Sequence, residues 1–312
     1  MTKNPLVTVV TGYYNRKDNV VESVGSILNQ SYENIEYIIF DDCSTDGTRE
    51  ALEQMEDERI RLILHEHNRG FTNGLINAIN KARGKYIAVN DAGDLSMKDR
   101  IKNQVRELEN DEGIGVVGCL IENYDYESGK VENIAGHPGR LSDPMGLSKK
   151  NIFTHGEVMF RKSIYDKVGG YDSFFKFAQD FDLWSRMVRE CDLYVIDEVL
   201  YRRCKFNDSV SVDYFKRLQQ SIYSEIVLNR TKMESSMERD LVKKYGVARC
   251  LDIKKSNKIS QRYNRLASYL EKNKFPRNIV HYNYNKSLQL QRNPFRKMIL
   301  LIKMIRNQFR GH

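Results

Sequence analysis

Short apolar blocks alternate with helical patterns along the N-terminal third of the chain. The run Leu6–Thr11 is continuously apolar or β-branched, which predicts a strand buried on both faces. Apolar residues then recur at helical spacing over Val20–Leu28, behind Asp18, which is expected to cap that helix. Repetition of this unit predicts a mostly parallel sheet with helices on both faces. Later strands are expected at Glu36–Phe40, Ile60–Leu64 and Tyr86–Val89, and later helices up to Met55, over Leu75–Ala82 and over Met97–Leu108.

The rhythm changes after Gly113, where shorter strands and a long polar segment replace the βα repeats. Residues 134–150 are rich in Gly, Pro and polar residues and are expected to form a surface loop. From Asp213 onward the pattern is helical and polar. We therefore expect an α/β domain over residues 1–212 and a basic helical C-terminal extension over residues 213–312. Other elements of the first domain are expected at Val116–Ile121 (strand), Tyr124–Lys130 (hairpin turn), Val158–Arg161 (strand) and Asp180–Glu190 (helix).

The positive charge of the chain is concentrated at its C-terminal end. The net charge is +8, yet ten Lys or Arg and no Asp or Glu follow from Lys272 onward, which leaves about −2 for the preceding residues. No recognised nucleic-acid-binding module accompanies this charge, so a nucleic-acid partner is not expected. The segment Phe295–Arg306 is too short and too charged to span a bilayer. It predicts either a basic amphipathic helix on anionic lipid or a helix packed against the main domain.

The five cysteines are scattered, odd in number and form no CxxC pair. This pattern argues against a disulfide framework or a zinc site and is typical of a reducing cytoplasm. The N-terminal residues run directly into the first predicted strand, which leaves no room for a signal peptide. We therefore expect a cytoplasmic protein, with contact to the inner face of a membrane if the basic helix binds lipid.

Polar residues follow each predicted strand at one edge of the sheet, where open α/β sheets bind their ligands. The first strand leads into Thr11-Gly12-Tyr13-Tyr14-Asn15, and the second into Asp41 and Asp42. A nucleotide base could stack on Tyr13 or Tyr14, and Asp42 could accept a hydrogen bond from an imide N–H. Taken alone, the two aspartates are also typical of helix capping. The fourth strand leads into Asp91-Ala92-Gly93-Asp94, and carboxylates there usually hold a divalent cation against a nucleotide phosphate.

These motifs, in this order and spacing, resemble the family 2 glycosyltransferases of the inverting, GT-A-fold type. The resemblance covers roughly residues 5–212. It implies a Rossmann-like, mostly parallel central sheet flanked by helices, and transfer of a sugar from a nucleotide-diphosphate sugar to a hydroxyl of a glycan or lipid-linked acceptor. The matching stretches are Val7–Arg16, Ile38–Thr48, Gly84–Ile87 with Asp91–Asp94, and Ala178–Trp184.

The resemblance also assigns roles to individual residues. The residue matching Asp42 holds a uracil-type base, which favours a UDP or dTDP donor. The residue matching Asp91 lies against the ribose and metal, and the residue matching Asp180 is the catalytic base. A helix N-terminus at Asp180 would keep this carboxylate ionised through the helix dipole. The expected nucleotide-sugar-binding set is Thr11, Gly12, Tyr13, Tyr14, Asp42, Asn68, Asp91, Ala92, His155, Arg202 and Arg203.

One position departs from the family pattern, because Gly93 stands where an aspartate usually ligates the cation. Either Asp91 or Asp94 takes a Mn or Mg ion instead, or basic side chains such as Arg202 or Arg203 meet the diphosphate charge. A further alternative is a catalytically inactive nucleotide-sugar-binding protein. A nucleotidyltransferase is disfavoured, because Gly12 stands alone where that class needs a glycine-rich basic loop.

Two histidine motifs leave alternatives open. His155 precedes a predicted strand, at the place of the family's acceptor-side loop, and could contact the donor phosphate or the acceptor. A purely structural histidine is equally compatible with this position. The pair His65 and His67 resembles a metal pair, but no third ligand is evident, so a solvated turn is the favoured interpretation.

Overall fold

A ten-stranded mixed sheet organises the N-terminal part of the protein, in the strand order β3-β2-β1-β4-β9-β6-β10-β5, with β7 paired to β6 and β8 to β10. The computed structural model describes residues 4–149, 151–206, 214–231, 257–272, 277–294 and 296–301. The strands are β1 (Val7–Tyr13), β2 (Ile35–Asp41), β3 (Ile60–Leu64), β4 (Tyr86–Val89), β5 (Leu95–Ser96), β6 (Ile114–Asp125), β7 (Lys130–Ala135), β8 (Gly139–Leu141), β9 (Met159–Arg161) and β10 (Asp192–Lys205). The helices are α1 (Val20–Leu28), α2 (Thr48–Glu53), α3 (Phe71–Asn80), α4 (Arg100–Asn110), α5 (Pro144–Lys149), α6 (Lys162–Lys167), α7 (Gln179–Met187), α8 (Tyr214–Thr231), α9 (Asn257–Lys272) and α10 (Arg277–Leu290).

The four N-terminal strands form the parallel half of the sheet, as their apolar sequences predict. Strand β1 pairs in parallel with β2 on one side and with β4 on the other, and β2 pairs in parallel with β3. Strands β2 and β4 are buried along their whole length and β1 almost so, because helices cover both faces. The carboxyl ends of β1, β2 and β4 therefore meet at one edge, where the strand order reverses and a crevice can form.

The second half of the sheet is mixed, and it contains elements that the sequence patterns did not predict. Strand β9 runs antiparallel to both β4 and β6, whereas the 14-residue β10 runs parallel to β6. The pairing of β10 with β6 has three register shifts. Those between Ile196 and Val199 and between Val199 and Tyr201 interrupt the alternation of β10 itself, so its sequence shows no continuous period of two.

Two local predictions are wrong. The segment expected to be a loop over residues 134–150 contains β8 and α5, and β8 is a polar, largely exposed strand formed through pairing with the distant β10. Asp18 does not cap α1: it lies within a single 3-10 turn, Lys17–Asn19, and Asn19 occupies the cap position without a side-chain hydrogen bond.

The chain divides into two compact units, Met1–Phe206 and Asn207–His312. The boundary expected at residue 212 lies outside the described residues. In the second unit, α8, α9 and α10 contribute apolar side chains to a small core that includes Leu218, Leu266, Leu270 and Tyr284. None of the helices in the described ranges is long and apolar enough to cross a membrane.

Candidate active site

The turn Asp91–Asp94 follows β4 at the crevice, and its conformation depends on glycine. Gly93 has φ +90°, a left-handed backbone conformation that side chains rarely adopt. A Cβ atom at this position would lie 2.9 Å from the ring of Phe206. The N–H of Gly93 donates to Ser23 Oγ at 3.3 Å. Backbone geometry and packing therefore favour glycine at the position where the family usually has a metal ligand.

Asp94 anchors this turn to β10 from the inside. Its side chain is buried: Oδ2 accepts from the Tyr201 hydroxyl at 2.9 Å, and Oδ1 accepts from the Cys204 N–H at 2.8 Å. Burial, together with the nearby charge of Asp91, raises the pKa of Asp94 well above its ordinary value. This geometry does not support the predicted role of Asp94 as a metal ligand, because both of its oxygens already bind protein groups.

Asp91 is the carboxylate of the turn that faces outward. Its side chain keeps about a third of its surface exposed, and Oδ1 lies 2.9 Å from His155 Nδ1. Its backbone N–H donates to the Tyr201 hydroxyl at 3.1 Å. Ala92, the next residue, is half-buried and packs against the core of the sheet. Asp91 is thus held from two sides while remaining open to a ligand.

His155 lies beneath Asp91 and is almost fully buried. Its Nε2 is 3.0 Å from the Tyr171 hydroxyl, and its ring meets Phe71 edge-on at 5.5 Å. Burial lowers the pKa of His155, but the negative charges around it, above all Asp91, outweigh this and leave the pKa raised. Because both ring nitrogens are within bonding distance of protein groups, the structure favours a role in positioning Asp91 over direct contact with substrate.

Asp180 is the second residue of α7, and its carboxylate interacts electrostatically with His155 and Asp91. Its Oδ2 accepts from the Asn151 amide at 3.2 Å. Burial raises the pKa of Asp180, against the lowering effects of His155, the Phe181 N–H and Asn151. The pKa of Asp180 is raised overall, whereas the helix N-terminus was expected to keep it low. A carboxylate with a raised pKa is a stronger base when it is ionised.

A buried arginine holds the two segments of this group together. Arg100, on α4, donates to the carbonyl of Val89 at the end of β4 and to the carbonyl of Gly156, both at 2.7 Å. Its guanidinium also lies 5.1 Å from the centre of the Tyr201 ring. The strand before Asp91 and the loop of His155 are thereby fixed to one side chain.

Asp42 ends β2 as the acceptor of a compact hydrogen-bond network. Oδ1 accepts from the Arg69 N–H at 2.8 Å and lies 2.9 Å from His65 Nδ1, and Oδ2 accepts from the Gly70 N–H at 2.9 Å. His65 is buried, with Nε2 3.2 Å from the Asn77 amide, so the solvated turn predicted for it is wrong. Asn68 shapes the same loop, because its Oδ1 accepts from the Gly70 N–H at 3.1 Å.

The end of β1 separates core residues from an exposed aromatic side chain. The Thr11 hydroxyl is buried 2.9 Å from that of Tyr37, and a Cβ at Gly12 would lie 2.1 Å from the Phe40 ring. Tyr13 is buried in the core, which corrects the expectation that a base stacks on it. Tyr14 is 52% exposed and is the residue of this segment that offers a free aromatic face.

The two predicted arginines of β10 face opposite ways, as neighbours on a strand must. Arg202 donates to Glu122 at 2.5 Å and stacks 4.6 Å over the Tyr124 ring, so its charge is already paired and it does not meet the expectation of a diphosphate contact. Arg203 shares its face with Tyr201, and its charge lowers the pKa of Asp94 against the larger effect of burial. Only Arg203 therefore lies on the side of the Asp91–Asp94 turn.

The donor set of this turn does not fit a protein-held divalent cation. Gly93 has no ligating atom, Asp94 is buried and bonded, and one oxygen of Asp91 lies against His155. In the described part of the chain, no cluster of three or more His, Cys, Asp or Glu side chains could hold a metal ion. Asp91 and Asp94 therefore do not form the expected Mn or Mg site in this structure.

Residues 8–169 match the family model described as Glycosyl transferase family 2, which is slightly more than half of the chain. The chain belongs to glycosyltransferase family 2. Membership of this family makes the chain an enzyme that transfers sugars. Its mixed sheet with flanking helices is the GT-A fold of that family. The family and the fold that the motifs resemble are thereby confirmed.

Two curated relatives are glycosyltransferases by name. The chain is 34% identical over 211 residues to EpsE of Bacillus subtilis, provisionally named a glycosyltransferase, covering 65% of this chain and 74% of that protein. It is 28% identical over 219 residues to WfaP of Escherichia coli, named as a UDP-Glc:alpha-D-GlcNAc-diphosphoundecaprenol beta-1,3-glucosyltransferase, covering 68% of this chain and 82% of that protein.

Two solved structures share the fold at low sequence identity. The mannosyltransferase PcManGT of Pyrobaculum calidifontis, in complex with GDP-Man and Mn2+, has a TM-score of 0.59 at 18% identity, covering 100% of this chain and 89% of that one. TarS residues 1–349 of S. aureus, in complex with UDP-GlcNAc, has a TM-score of 0.60 at 16% identity, covering 91% and 89%. These likenesses establish a shared architecture.

Several residues of this family 2 site were not predicted from the sequence. Tyr201, Asn151 and Tyr171 bind Asp91, Asp180 and His155, respectively, from distant parts of the chain. No local motif marks them, because tyrosine and asparagine are common residues on strands and loops. Each of these three residues has a role in the site only through the residue that it binds, and the fold is needed to identify that residue.

Proposed function

We propose that this family 2 enzyme is an inverting glycosyltransferase that moves a sugar from a UDP or dTDP sugar to a hydroxyl of a glycan or lipid-linked acceptor. The observation that carries the proposal is the grouping of Asp91, His155 and Asp180 beside the Asp42 loop. Gly70, which donates to Asp42, is followed directly by Phe71, whose ring contacts His155. Base recognition and proton transfer are thus linked by adjacent residues.

Base recognition is assigned to Asp42 and Tyr14. Three protein donors already occupy the Asp42 carboxylate, and its two oxygens together have about four lone-pair positions. One acceptor direction remains for an imide N–H, as found in uracil and thymine. The exposed ring of Tyr14 supplies a stacking surface. Thr11, Gly12 and Tyr13 contribute backbone and packing, and Asn68 and Ala92 shape the loops around the ligand.

Asp180 is assigned the role of general base. The acceptor hydroxyl attacks the anomeric carbon as Asp180 takes its proton, the new C–O bond forms, and the bond to the diphosphate breaks with its electron pair leaving on the diphosphate. Attack opposite the leaving group inverts the anomeric configuration. Asn151 orients the carboxylate through its amide. Asp91, which His155 and Tyr201 hold, is assigned the contact with the ribose of the donor.

The relatives support the substrate classes but name several. WfaP is named for transfer from UDP-Glc to a diphosphoundecaprenol-linked sugar, and the TarS structure contains UDP-GlcNAc. Both donors are uridine nucleotides, in keeping with the single free acceptor direction of Asp42. A lipid-linked or polymeric acceptor, in the synthesis of a surface polysaccharide, is the corresponding proposal for this chain.

Incubation of the purified chain with a panel of UDP, dTDP and GDP sugars and lipid-linked acceptors tests the proposal. We expect acceptor-dependent release of UDP or dTDP, and a rise in melting temperature with the nucleotide that binds. Binding without release, with every acceptor tried, would contradict the enzyme and identify an inactive nucleotide-sugar-binding protein.

The C-terminal helix is assigned a peripheral membrane contact, which would suit a lipid-linked acceptor. In the helical residues 296–301, Met298 is 51% and Leu301 46% exposed, and Arg296 and Lys297 stand beside them. The remainder of the predicted segment, through Arg306, lies outside the described residues. Deletion of residues 290–312 is expected to abolish cosedimentation with vesicles that contain anionic lipid. Unchanged cosedimentation would contradict this contact.

A further inference from the structure

The packing of the Asp91–Asp94 turn disfavours an acidic residue at its third position. An aspartate at Gly93 would need the left-handed backbone and would meet Phe206 at 2.9 Å. Phe206 is itself held between the Arg16 guanidinium, 5.2 Å from its ring centre, and the Tyr126 ring at the same distance. The glycine is therefore one member of a packed cluster.

Asp94, one of the two aspartates of this turn, has a structural role. Asp94 receives the Tyr201 hydroxyl and the Cys204 N–H, which tie the turn to β10. Asp91 is then the single carboxylate of the turn with an exposed oxygen, and its other oxygen lies 2.9 Å from His155. A nucleoside diphosphate still needs positive charge, because two or three negative charges collect on it as the sugar departs.

Arg203 is placed to supply that charge. It lies on the same face of β10 as Tyr201, whose hydroxyl contacts both Asp91 and Asp94. Among the described residues, no carboxylate forms an ion pair with Arg203, whereas the neighbouring Arg202 is paired with Glu122. A half-buried guanidinium that has no hydrogen-bond or ion-pair partner in the described part of the chain is suited to bind a phosphate group.

We propose that this enzyme binds its nucleoside diphosphate sugar without a divalent cation, and that Arg203 provides the positive charge for the diphosphate. The inference rests on the proposed function, since it concerns the donor of that reaction. It sets this chain apart from PcManGT, whose structure contains Mn2+ together with GDP-Man.

Calorimetric titration of the full chain with UDP, in EDTA and in Mn2+, tests the cation. We expect the two dissociation constants to agree within about twofold, because no protein site for the ion adds to the affinity. Binding of UDP that is lost in EDTA and restored by Mn2+ would overturn the inference. That outcome would leave the proposed transfer intact, since it would proceed with the ion present.

Titration of Arg203→Gln with UDP and with uridine tests the countercharge, and Arg202→Gln is the matched control. For Arg203→Gln we expect UDP to bind about 10- to 100-fold more weakly and uridine to bind as before, because only UDP carries the phosphates. For Arg202→Gln we expect less than about threefold change with either ligand. Equal losses of UDP affinity in the two variants would overturn the role of Arg203.

Discussion

Asp180→Asn is expected to lower the rate of sugar transfer by about 1000-fold or more, with donor binding changed by less than about threefold. The amide keeps the shape of the side chain and can still meet Asn151, but it cannot accept the proton of the acceptor hydroxyl. Transfer is measured by nucleoside diphosphate release, and binding by calorimetry with UDP. Full transfer activity in this variant would remove Asp180 from the base role.

The pH dependence gives a second measurement on the same residue. A base works only when ionised, and burial raises the pKa of Asp180, so activity should be lost on acidification at a pH above the ordinary aspartate range of about 4. Asn151 lowers that pKa through its hydrogen bond, so Asn151→Ala should move the acidic limb of kcat/KM to still higher pH. An acidic limb that does not move would assign Asn151 a structural role alone.

Asp42→Ala is expected to abolish measurable UDP and uridine binding and to lower the free energy of unfolding by about 2–5 kcal/mol. The substitution removes the base acceptor and leaves the Arg69 N–H and His65 without their common partner, whereas the Gly70 N–H keeps Asn68 as an acceptor. Each buried donor that loses its partner costs about 1–3 kcal/mol. Urea unfolding measures the stability, and calorimetry at a temperature where the variant is folded measures the binding.

The adjacent Asp41→Ala is the control for this variant. Asp41 is also buried and also paired, through Arg49 at 3.0 Å, but its carboxylate serves the Ser44 N–H and α2. We expect a comparable loss of stability with uridine binding retained in the folded protein. If both variants bind uridine equally, Asp42 does not recognise the base.

The parallel half of the fold could be predicted from the sequence because β1, β2 and β4 are buried on both faces and therefore appear as apolar runs between polar turns. Strand β3 is only partly buried, yet it has the bounds expected for it. Strand β10 could not be found in this way. Two of the three register shifts in its pairing with β6 break its alternation, and its place is set by pairing with β6 and β5, which are distant in sequence.

The site could be located from the sequence, but the direction of individual side chains could not. Tyr13 and Tyr14 are adjacent and chemically identical, and only the position of the strand end shows that the first enters the core and the second faces solvent. The pair Arg202 and Arg203 poses the same problem on a strand that was not predicted. Asp94 was expected to be a metal ligand because the sequence cannot show that Tyr201 and Cys204 donate hydrogen bonds to its two oxygens.

The backbone of Gly93 also constrains how this enzyme could evolve. Any L-amino acid there carries a strain of about 1–3 kcal/mol in addition to its contact with Phe206. A single codon change to aspartate would therefore be harmful before it could be useful, and relief would require a smaller residue at position 206 first. The two positions should consequently change together among descendants of this lineage, with the aromatic ring lost before an acid is regained.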